Sequence, residues 1–192
     1  MTLQVTDLSW QPRGHTVLKD VTIAVNDGDC LAIVGPNGAG KSSLLRCCMG
    51  WVQPTAGQVS LKGKQIASLK PRERAQHLAW LPQRPEYAES LPVLDVVANA
   101  RFRFSESRNR SREMAQKALE VFSVQEHANK LWHTLSGGEA QRVNLASLWA
   151  QQAEIWLLDE PANHLDPAVQ HTLYHQLVQQ WILISSPMQL MQ

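Results

Sequence analysis

The sequence predicts an α/β fold with a mostly parallel central sheet. Strand-like apolar runs alternate along the chain with segments of helical periodicity. A glycine-rich loop, Gly35–Ser42, directly follows the apolar run Cys30–Val34, and a second apolar run, Ile155–Leu158, ends in two carboxylates. Strands covered on both faces are continuously apolar, and such sheets bind ligands beyond the carboxyl ends of their strands. The length of 192 residues suits one domain with a sizeable core.

Hydrophobic periodicity and turn residues predict the individual elements. Alternation at Leu3, Val5 and Leu8 indicates an edge-type strand, and the turn Asn26–Asp29 leads into the strand Cys30–Val34. Further strands are expected at 17–25, 59–61, 78–81, 155–158 and 181–184, and helices at 40–49, 71–78, 93–104, 111–123, 137–151 and 167–180, with a polar surface loop at 105–111.

Composition and charge exclude several classes of protein. The formal charge of +1, from 18 basic and 17 acidic side chains, gives no reason to expect a nucleic-acid partner. The 3 cysteines lack zinc-site spacing and suit a reducing compartment. No apolar run approaches the roughly 20 residues that span a bilayer, and the N-terminus lacks a signal-peptide pattern. We therefore expect a cytosolic protein, for which any membrane role is by docking.

The loop after the third strand has the pattern G-x-x-x-x-G-K-[ST] that wraps a polyphosphate with backbone N–H groups. Its glycines permit tight turns and close approach, and the helix that follows points its positive end at the anion. A chance glycine turn before a lysine is the alternative, expected in about one in a hundred chains of this length. The loop therefore predicts a bound nucleoside triphosphate. The predicted nucleotide-binding residues are Gly35, Pro36, Asn37, Gly38, Ala39, Gly40, Lys41, Ser42 and Ser43.

Two roles in this loop follow from side-chain chemistry. Lys41 places a positive charge on the β- and γ-phosphates, and the hydroxyl of Ser42 is placed to ligate Mg²⁺. The second anchor is the pair Asp159 and Glu160, at the end of the buried strand where the phosphate loop also emerges. Asp159 can hold the metal through water, and Glu160 can polarise the water that attacks the γ-phosphate. Two solvated acids at a strand end would be the better interpretation only without the phosphate loop.

The third anchor is Leu135–Glu139, which predicts a helix start. Ser136 has the character of an N-cap, Glu139 lies at the capping-box position, and the two glycines between them let a ligand approach the helix N-terminus. This start is therefore a second candidate anion site. An ordinary capped helix explains the residue types equally well. The position favours the ligand site, because this helix leads directly to the acidic strand.

Together these motifs resemble those of the nucleotide-binding subunit of an ATP-binding-cassette (ABC) transporter, over nearly the whole chain. Five motifs of that family have counterparts in this sequence. They are the Walker A loop at Gly35–Ser42, the Q-loop at Gln83, the signature motif at Leu135–Glu139, Walker B at Asp159 and Glu160, and the D-loop at Asn163–Asp166. Several independent motifs in one order are far more specific than the phosphate loop alone. A glutamine after a strand is, by itself, usually just an exposed residue.

The resemblance implies a P-loop NTPase fold in a single domain over 1–192, with an N-terminal antiparallel β-subdomain. A helical subdomain that contains the signature motif is inserted at about 84–150. The implied ligands are ATP and Mg²⁺, and the implied function is an ATP-binding and ATP-hydrolysing subunit that energises an importer. The implied metal ligands are Ser42, Gln83 and Asp159, and the implied catalytic residues are Glu160 and Gln83.

The resemblance also implies partners. Two copies pair head to tail, so that Ser136, Gly137, Gly138 and Glu139 act in trans on the nucleotide of the partner copy. Integral membrane permease subunits are a further implied partner, and a substrate-binding protein is an indirect one. The implied location is cytoplasmic, peripheral on the inner face of the cell membrane.

Two segments refine the resemblance. The segment Arg74–Gln83 resembles that of importer ATPases for iron-siderophores, haem and cobalamin, in which Leu-Pro-Gln is common at this point. The proline-rich segment Arg84–Tyr87 and the helix from Val93 resemble the part that docks onto the membrane subunits.

In this family an aromatic residue usually stacks on adenine near the position of Pro12, for which Trp10 could substitute or could equally be a core residue.

The main departure from the family concerns the C-terminal strand and its switch histidine, which contacts the γ-phosphate. The strand begins at Trp181, but 185–192 follow without that histidine. The resemblance thus implies a C-terminal truncation, with the switch region missing and an incomplete strand left as an exposed sheet edge. An alternative function follows, in which a truncated protein binds ATP but hydrolyses it poorly or not at all. ABC proteins of translation or DNA repair fit less well, because the chain has one cassette and no coiled-coil insertion, and phosphoryl kinases lack Leu-Ser-Gly-Gly.

Overall fold

The computed structural model describes residues 2–83, 90–161 and 181–186, which form two four-stranded sheets and five α-helices. The strands are β1 (Leu3–Trp10), β2 (Leu18–Val25), β3 (Cys30–Val34), β4 (Ala56–Leu61), β5 (Lys64–Gln65), β6 (Leu78–Leu81), β7 (Ile155–Asp159) and β8 (Trp181–Ser186). The helices are α1 (Lys41–Cys48), α2 (Pro71–His77), α3 (Val93–Asn99), α4 (Arg108–Val121) and α5 (Gly137–Gln151).

The first sheet is antiparallel and lies in the N-terminal part of the chain, in the order β2-β1-β4-β5. Strand β1 is its centre: it pairs with β2 from Leu3 opposite Val25 and with β4 from Leu3 opposite Leu61. Leu3, Val5 and Leu8 of β1 are all buried, which explains the apolar alternation predicted from the sequence. The α/β class with an N-terminal antiparallel sheet is confirmed, but β1 is an inner strand and the prediction of an edge-type strand is wrong.

The second sheet is parallel throughout, in the order β3-β8-β7-β6. Strand β8 lies between β3 and β7, with Cys30 opposite Ile182 on one side and Leu157 opposite Leu183 on the other. The expectation that this strand is an exposed sheet edge is therefore wrong, because β8 has a parallel partner on both sides. Its hydrogen-bonded length also extends two residues beyond the predicted end at 184.

Helices α3, α4 and α5 pack against one face of the parallel sheet. Strand β7 divides the interior, since Trp156 and Leu158 face the core that these helices build, whereas Ile155 and Leu157 face the core shared with β1 and α1. All five residues of β7 are buried. This two-sided burial is the reason for its continuous apolar run. Because β3 and β7 run parallel in one sheet, the carboxyl end of β7, with Asp159, lies at the same sheet edge as the phosphate loop.

The helical part differs from the prediction around residues 100–111. Helix α3 ends at Asn99, not at 104, and α4 begins at Arg108 within the expected loop. The hydroxyl of Ser107 accepts a hydrogen bond from the backbone N–H of Arg110 and so caps α4. After α3 the chain forms successive turns, in which the backbone N–H groups of Arg101, Phe102 and Phe104 donate to carbonyls three residues earlier.

Arg101 is buried, at 4% exposure, and connects the end of α3 to the end of α5. Its guanidinium donates to both carboxylate oxygens of Glu106, at 2.5 and 2.8 Å, and to the carbonyl of Ala150 at 2.8 Å. The hydrogen bond from Arg101 is the main reason that the pKa of Glu106 falls to about 2. This arrangement joins the loop after α3 to the carbonyl end of α5, where a cation is favoured.

Several predicted segments lie outside the described residues. They are the docking segment at 84–87, the D-loop at 163–166, the helix at 167–180 and the tail at 187–192. Among the helices that the structure describes, none has the length and apolar character needed to cross a bilayer.

Candidate nucleotide-binding site

The phosphate loop joins β3 to α1, as the sequence predicts. Gly40 is the N-cap of α1 and has a φ of +88°, a left-handed conformation that side chains rarely adopt. A Cβ on Gly40 would also lie 2.9 Å from the backbone carbonyl of Val17. The turn therefore requires glycine here, both for its backbone angle and for its contact with the start of β2.

Lys41 begins α1 and folds back across the loop. Its Nζ donates to the carbonyl oxygens of Gly35 at 2.9 Å and Pro36 at 3.0 Å, and the residue is only 8% exposed. An ammonium held on two carbonyls inside a glycine loop is positioned to exchange these acceptors for phosphate oxygens. Together with the unpaired N–H groups at the start of α1, it provides an anion site.

A cavity of about 390 Å³ opens beside this loop. Its lining combines four separate parts of the chain: the residue before β2, the phosphate loop with the start of α1, the segment after β6 and the residue after β7. The lining residues are Val17, Asn37, Gly38, Gly40, Lys41, Ser42, Ser43, Gln83 and Glu160. Seven of the predicted site residues outside the signature thus line one cavity with Glu160, whereas Asp159 is buried at the end of β7, at 3% exposure, and Ala39 lies within the loop.

Gln83 and Glu160 are in direct contact across the cavity. The side-chain amide of Gln83 donates to the Glu160 carboxylate at 2.6 Å, although the two residues come from the ends of different strands. Glu160 has a φ of +52°, an uncommon conformation for a residue that carries a side chain. The two residues that the family resemblance assigns to catalysis are therefore brought together in a strained turn at the edge of the sheet.

The signature segment forms a complete capping box at the start of α5. The hydroxyl of Ser136 accepts from the backbone N–H of Glu139 at 3.4 Å, and the Glu139 carboxylate accepts from the backbone N–H of Ser136 at 2.7 Å. These hydrogen bonds from Ser136 are the main reason that the pKa of Glu139 is lowered. The other carboxylate oxygen of Glu139 lies 3.0 Å from Nε2 of buried His127. The predicted helix start is confirmed.

This helix start does not join the cavity of its own chain. Ser136 and Gly137 are exposed, and none of the residues lining the cavity comes from the segment 135–139. Trp10, the candidate for stacking on adenine, packs partly buried against the core of the N-terminal sheet and is also absent from the lining. The phosphate loop, Gln83 and Glu160 therefore meet at one cavity, whereas the signature segment contributes no residue to that cavity.

Sequence reasoning missed two contributors. Val17 lines the cavity from its position just before β2, whereas it is the first residue of the predicted strand 17–25 and no motif marks it as a site residue. Gln141, on the second turn of α5, donates from Nε2 to the carbonyl of Pro161 at 2.5 Å. No periodicity or spacing indicates this contact, because the two residues meet only through the packing of α5 against the end of β7.

A glycine loop on a parallel strand, a lysine aimed into it and carboxylates at the end of another strand of the same sheet define a nucleotide-binding site of the P-loop class. The family model described as ABC transporter matches residues 18–163. The chain belongs to the ABC transporter family and has the ATPase domain of that family.

Relatives and solved structures agree with this assignment. The hemin import ATP-binding protein HmuV of Pseudomonas entomophila is 39% identical over 178 residues, covering 88% of this chain and 69% of that protein. HmuV of Gloeobacter violaceus is 42% identical, over 83% of this chain and 61% of the relative. An uncharacterized ABC transporter ATP-binding protein of Bacillus subtilis, YvrA, is 40% identical, over 82% of this chain and 37% of its own length.

Two solved structures share the fold at appreciable identity. One is an ATP-binding subunit of an ABC transporter, with a TM-score of 0.85 and 28% identity, covering 97% of this chain and 80% of that one. The other is an inward-facing ABC transporter described as of the metal-chelate type, with a TM-score of 0.80 and 26% identity, covering 96% of this chain and 72% of that one.

Proposed function

We propose that the chain binds Mg²⁺ and ATP in the cavity beside the phosphate loop and hydrolyses the γ-phosphate. The observation that carries the proposal is the Gln83–Glu160 contact on the same cavity wall as Lys41. Phosphoryl transfer needs positioning and neutralisation of charge more than covalent help from the protein. Lys41 and the N–H groups of α1 supply the positive field, and the Glu160 carboxylate orients and deprotonates the attacking water.

The residues at the cavity also fit a magnesium ion. Ser42 and Gln83 line the cavity with a hydroxyl and an amide, and Asp159 ends the adjacent strand with a carboxylate. Such hard oxygen donors suit Mg²⁺, which keeps several waters and binds through few protein ligands and the substrate phosphates. When bound, the ion would neutralise charge on the β- and γ-phosphates.

A second copy of the chain completes the site in this proposal. The α5 start presents Ser136 and Gly137 to solvent, away from the cavity of its own chain. Backbone N–H groups at a capped helix start favour a phosphate. Two copies arranged head to tail would therefore place Ser136 of each copy on the γ-phosphate held by the other.

Binding without turnover is the alternative, and one experiment separates the two functions. ATP affinity and steady-state release of phosphate are measured on the same preparation, with Mg²⁺ and with a chelator. Metal-dependent turnover supports the proposed function. ATP binding with no metal-dependent release of phosphate would establish the alternative.

The proposed biological role is to energise an importer for haem or a related metal chelate, such as an iron-siderophore or cobalamin. The support is the function for which the HmuV relatives are named, hemin import, and the likeness to a metal-chelate type transporter. In this role the chain docks on permease subunits at the inner face of the membrane, and a substrate-binding protein acts on the other side.

The permease would dock on an aromatic groove, which we define by Trp51, Pro71, Arg74, Trp80 and Phe102. The groove encloses about 270 Å³. Trp51 and Phe102 are 56% and 57% exposed, and Trp51 packs edge-on against Trp80 with ring centroids 5.5 Å apart. Exposed aromatic rings next to arginine are typical of interface anchors. The occupant would be an amphipathic cytoplasmic helix of the permease, with an acidic side chain near Arg74.

Replacing Trp51 and Phe102 together by serine is expected to weaken association with the permease at least roughly tenfold, because anchor residues of this kind dominate interfaces. Turnover by the isolated chain should not change, since both residues lie outside the nucleotide cavity. The measurement is co-purification with the permease in detergent, and Val121→Ser, at another exposed apolar residue, is the control. Wild-type association of the double variant would exclude this groove.

A further inference from the structure

The turn that carries Glu160 is held in an unfavourable conformation. Glu160 has a φ of +52°, and the residue after it is Pro161, whose ring restricts the backbone before it. A left-handed conformation is unfavourable at a residue other than glycine and persists only where neighbouring groups enforce it. The direction of the Glu160 carboxylate thus depends on the contacts that hold this turn.

Two side-chain amides from different elements supply such contacts. Gln83, after β6, donates to the Glu160 carboxylate at 2.6 Å. Gln141, on α5, donates from Nε2 to the carbonyl of Pro161 at 2.5 Å. Pro161 itself is buried, so its carbonyl is held next to the helix. One amide acts on the side chain of Glu160, and the other acts on the backbone that follows it.

Helix α5 connects this contact to the signature segment. Gln141 follows Ser136 by five positions, which is about 7.5 Å along a helix axis. The capping box of Ser136 and Glu139 ties the two ends of the first turn of α5 together. One turn of hydrogen-bonded helix thus separates the signature segment from the side chain that contacts the carbonyl of Pro161.

We propose that Gln141 is a positioning residue for Glu160 and couples the signature end of α5 to the hydrolytic carboxylate of the same chain. This inference rests on the proposed ATPase function. Gln141 does not line the nucleotide cavity, so it acts through the Pro161 carbonyl and the backbone of Glu160. It affects the chemical step and leaves the binding of nucleotide unchanged.

Gln141→Met tests the proposal, because methionine keeps the length of the side chain and removes the donor. The expected result is a drop in kcat of about fivefold, the loss of one hydrogen bond, with the KM for ATP unchanged. Gln151→Met is the matched control: Gln151 lies on the same helix and donates to the carbonyls of Ala75 and Leu78, away from the cavity. Equal kcat values for Gln141→Met and wild type would overturn the proposal.

A pH profile separates positioning from simple loss of stability. In Gln141→Glu the side chain can donate to the Pro161 carbonyl only when protonated. The ratio of its kcat to that of wild type should therefore rise as pH falls from about 8 towards the usual carboxyl pKa of about 4. A ratio that stays flat across this range would contradict the proposed hydrogen bond.

A measurement without turnover keeps the inference independent of the proposed function. The backbone amide signal of Glu160 in a two-dimensional NMR spectrum should shift in Gln141→Met and stay in place in Gln151→Met. If wild type releases no phosphate, the proposed function fails, and this signal still tests the coupling. An unmoved Glu160 signal in Gln141→Met would overturn the coupling whatever the turnover.

Discussion

Glu160→Gln is expected to lower ATP turnover at least about a hundredfold while ATP affinity stays near that of wild type. A carboxylate that orients and deprotonates water contributes roughly 10² to 10⁴ in rate. Glutamine has the same shape and lines the cavity equally well, but its amide accepts no proton. Because Glu160 lies at the edge of the cavity with Gln83 and does not belong to the glycine loop, nucleotide binding is left to Lys41 and its neighbours.

The measurement is phosphate release under saturating Mg²⁺ and ATP, beside a direct titration of nucleotide. Glu154→Gln is the matched control, since Glu154 precedes the same strand and pairs with Lys62 and His77 away from the cavity. Glu154→Gln should hydrolyse at the wild-type rate. Turnover retained within a few fold in Glu160→Gln would mean that another group activates the water.

Lys41→Ala is expected to weaken ATP binding by about 10- to 100-fold. The Lys41 ammonium is held inside the loop by the carbonyls of Gly35 and Pro36, and hydrogen bonds to charged groups contribute about 1.5 to 3 kcal/mol each. Loss of this charge removes the main cation from the phosphate site. The loss should be smaller for a nucleoside without phosphates, because the lysine faces only the phosphate end.

Calorimetric titration of ATP against Lys41→Ala, wild type and Lys64→Ala checks this prediction. Lys64 is an exposed lysine that pairs with Glu73 at a distance from the cavity, so its removal controls for the change in net charge. Wild-type affinity in Lys41→Ala would show that the glycine loop does not hold the phosphates.

The sequence predicts the phosphate loop well because the backbone geometry there leaves few alternatives. Gly40 has a left-handed φ and no room for a Cβ, so the loop conformation requires the glycine that the sequence motif contains. The carboxylates after β7 follow for a similar reason, since a strand buried on both faces ends where parallel sheets bind ligands. Local patterns of this kind are sufficient to place both parts at the same edge of the sheet.

Contacts between distant segments could not be predicted in the same way. An apolar run at 181–184 indicates a buried strand, but it does not specify the neighbours β3 and β7. The helix predicted to end at 104 is too long because apolar periodicity continues past Asn99. The structure has turns there instead, with the guanidinium of Arg101 buried against the carbonyl of Ala150. The bonds from Gln83 and Gln141 to the Glu160 turn likewise depend on how whole elements pack.

In the proposed dimer, ATP is hydrolysed between the phosphate loop of one copy and the signature serine of the other. Mixing two inactive variants tests this shared site: Lys41→Ala, which loses the cation of its own phosphate loop, and Ser136→Asp, which keeps an N-cap but places negative charge against the partner's phosphate. When the two variants are mixed in equal amounts, about half of all dimers carry one copy of each and so retain one intact site. The mixture is therefore predicted to recover about a quarter of wild-type turnover. Turnover no higher than the sum of the separate variants, with both folded and dimeric, would contradict the shared site.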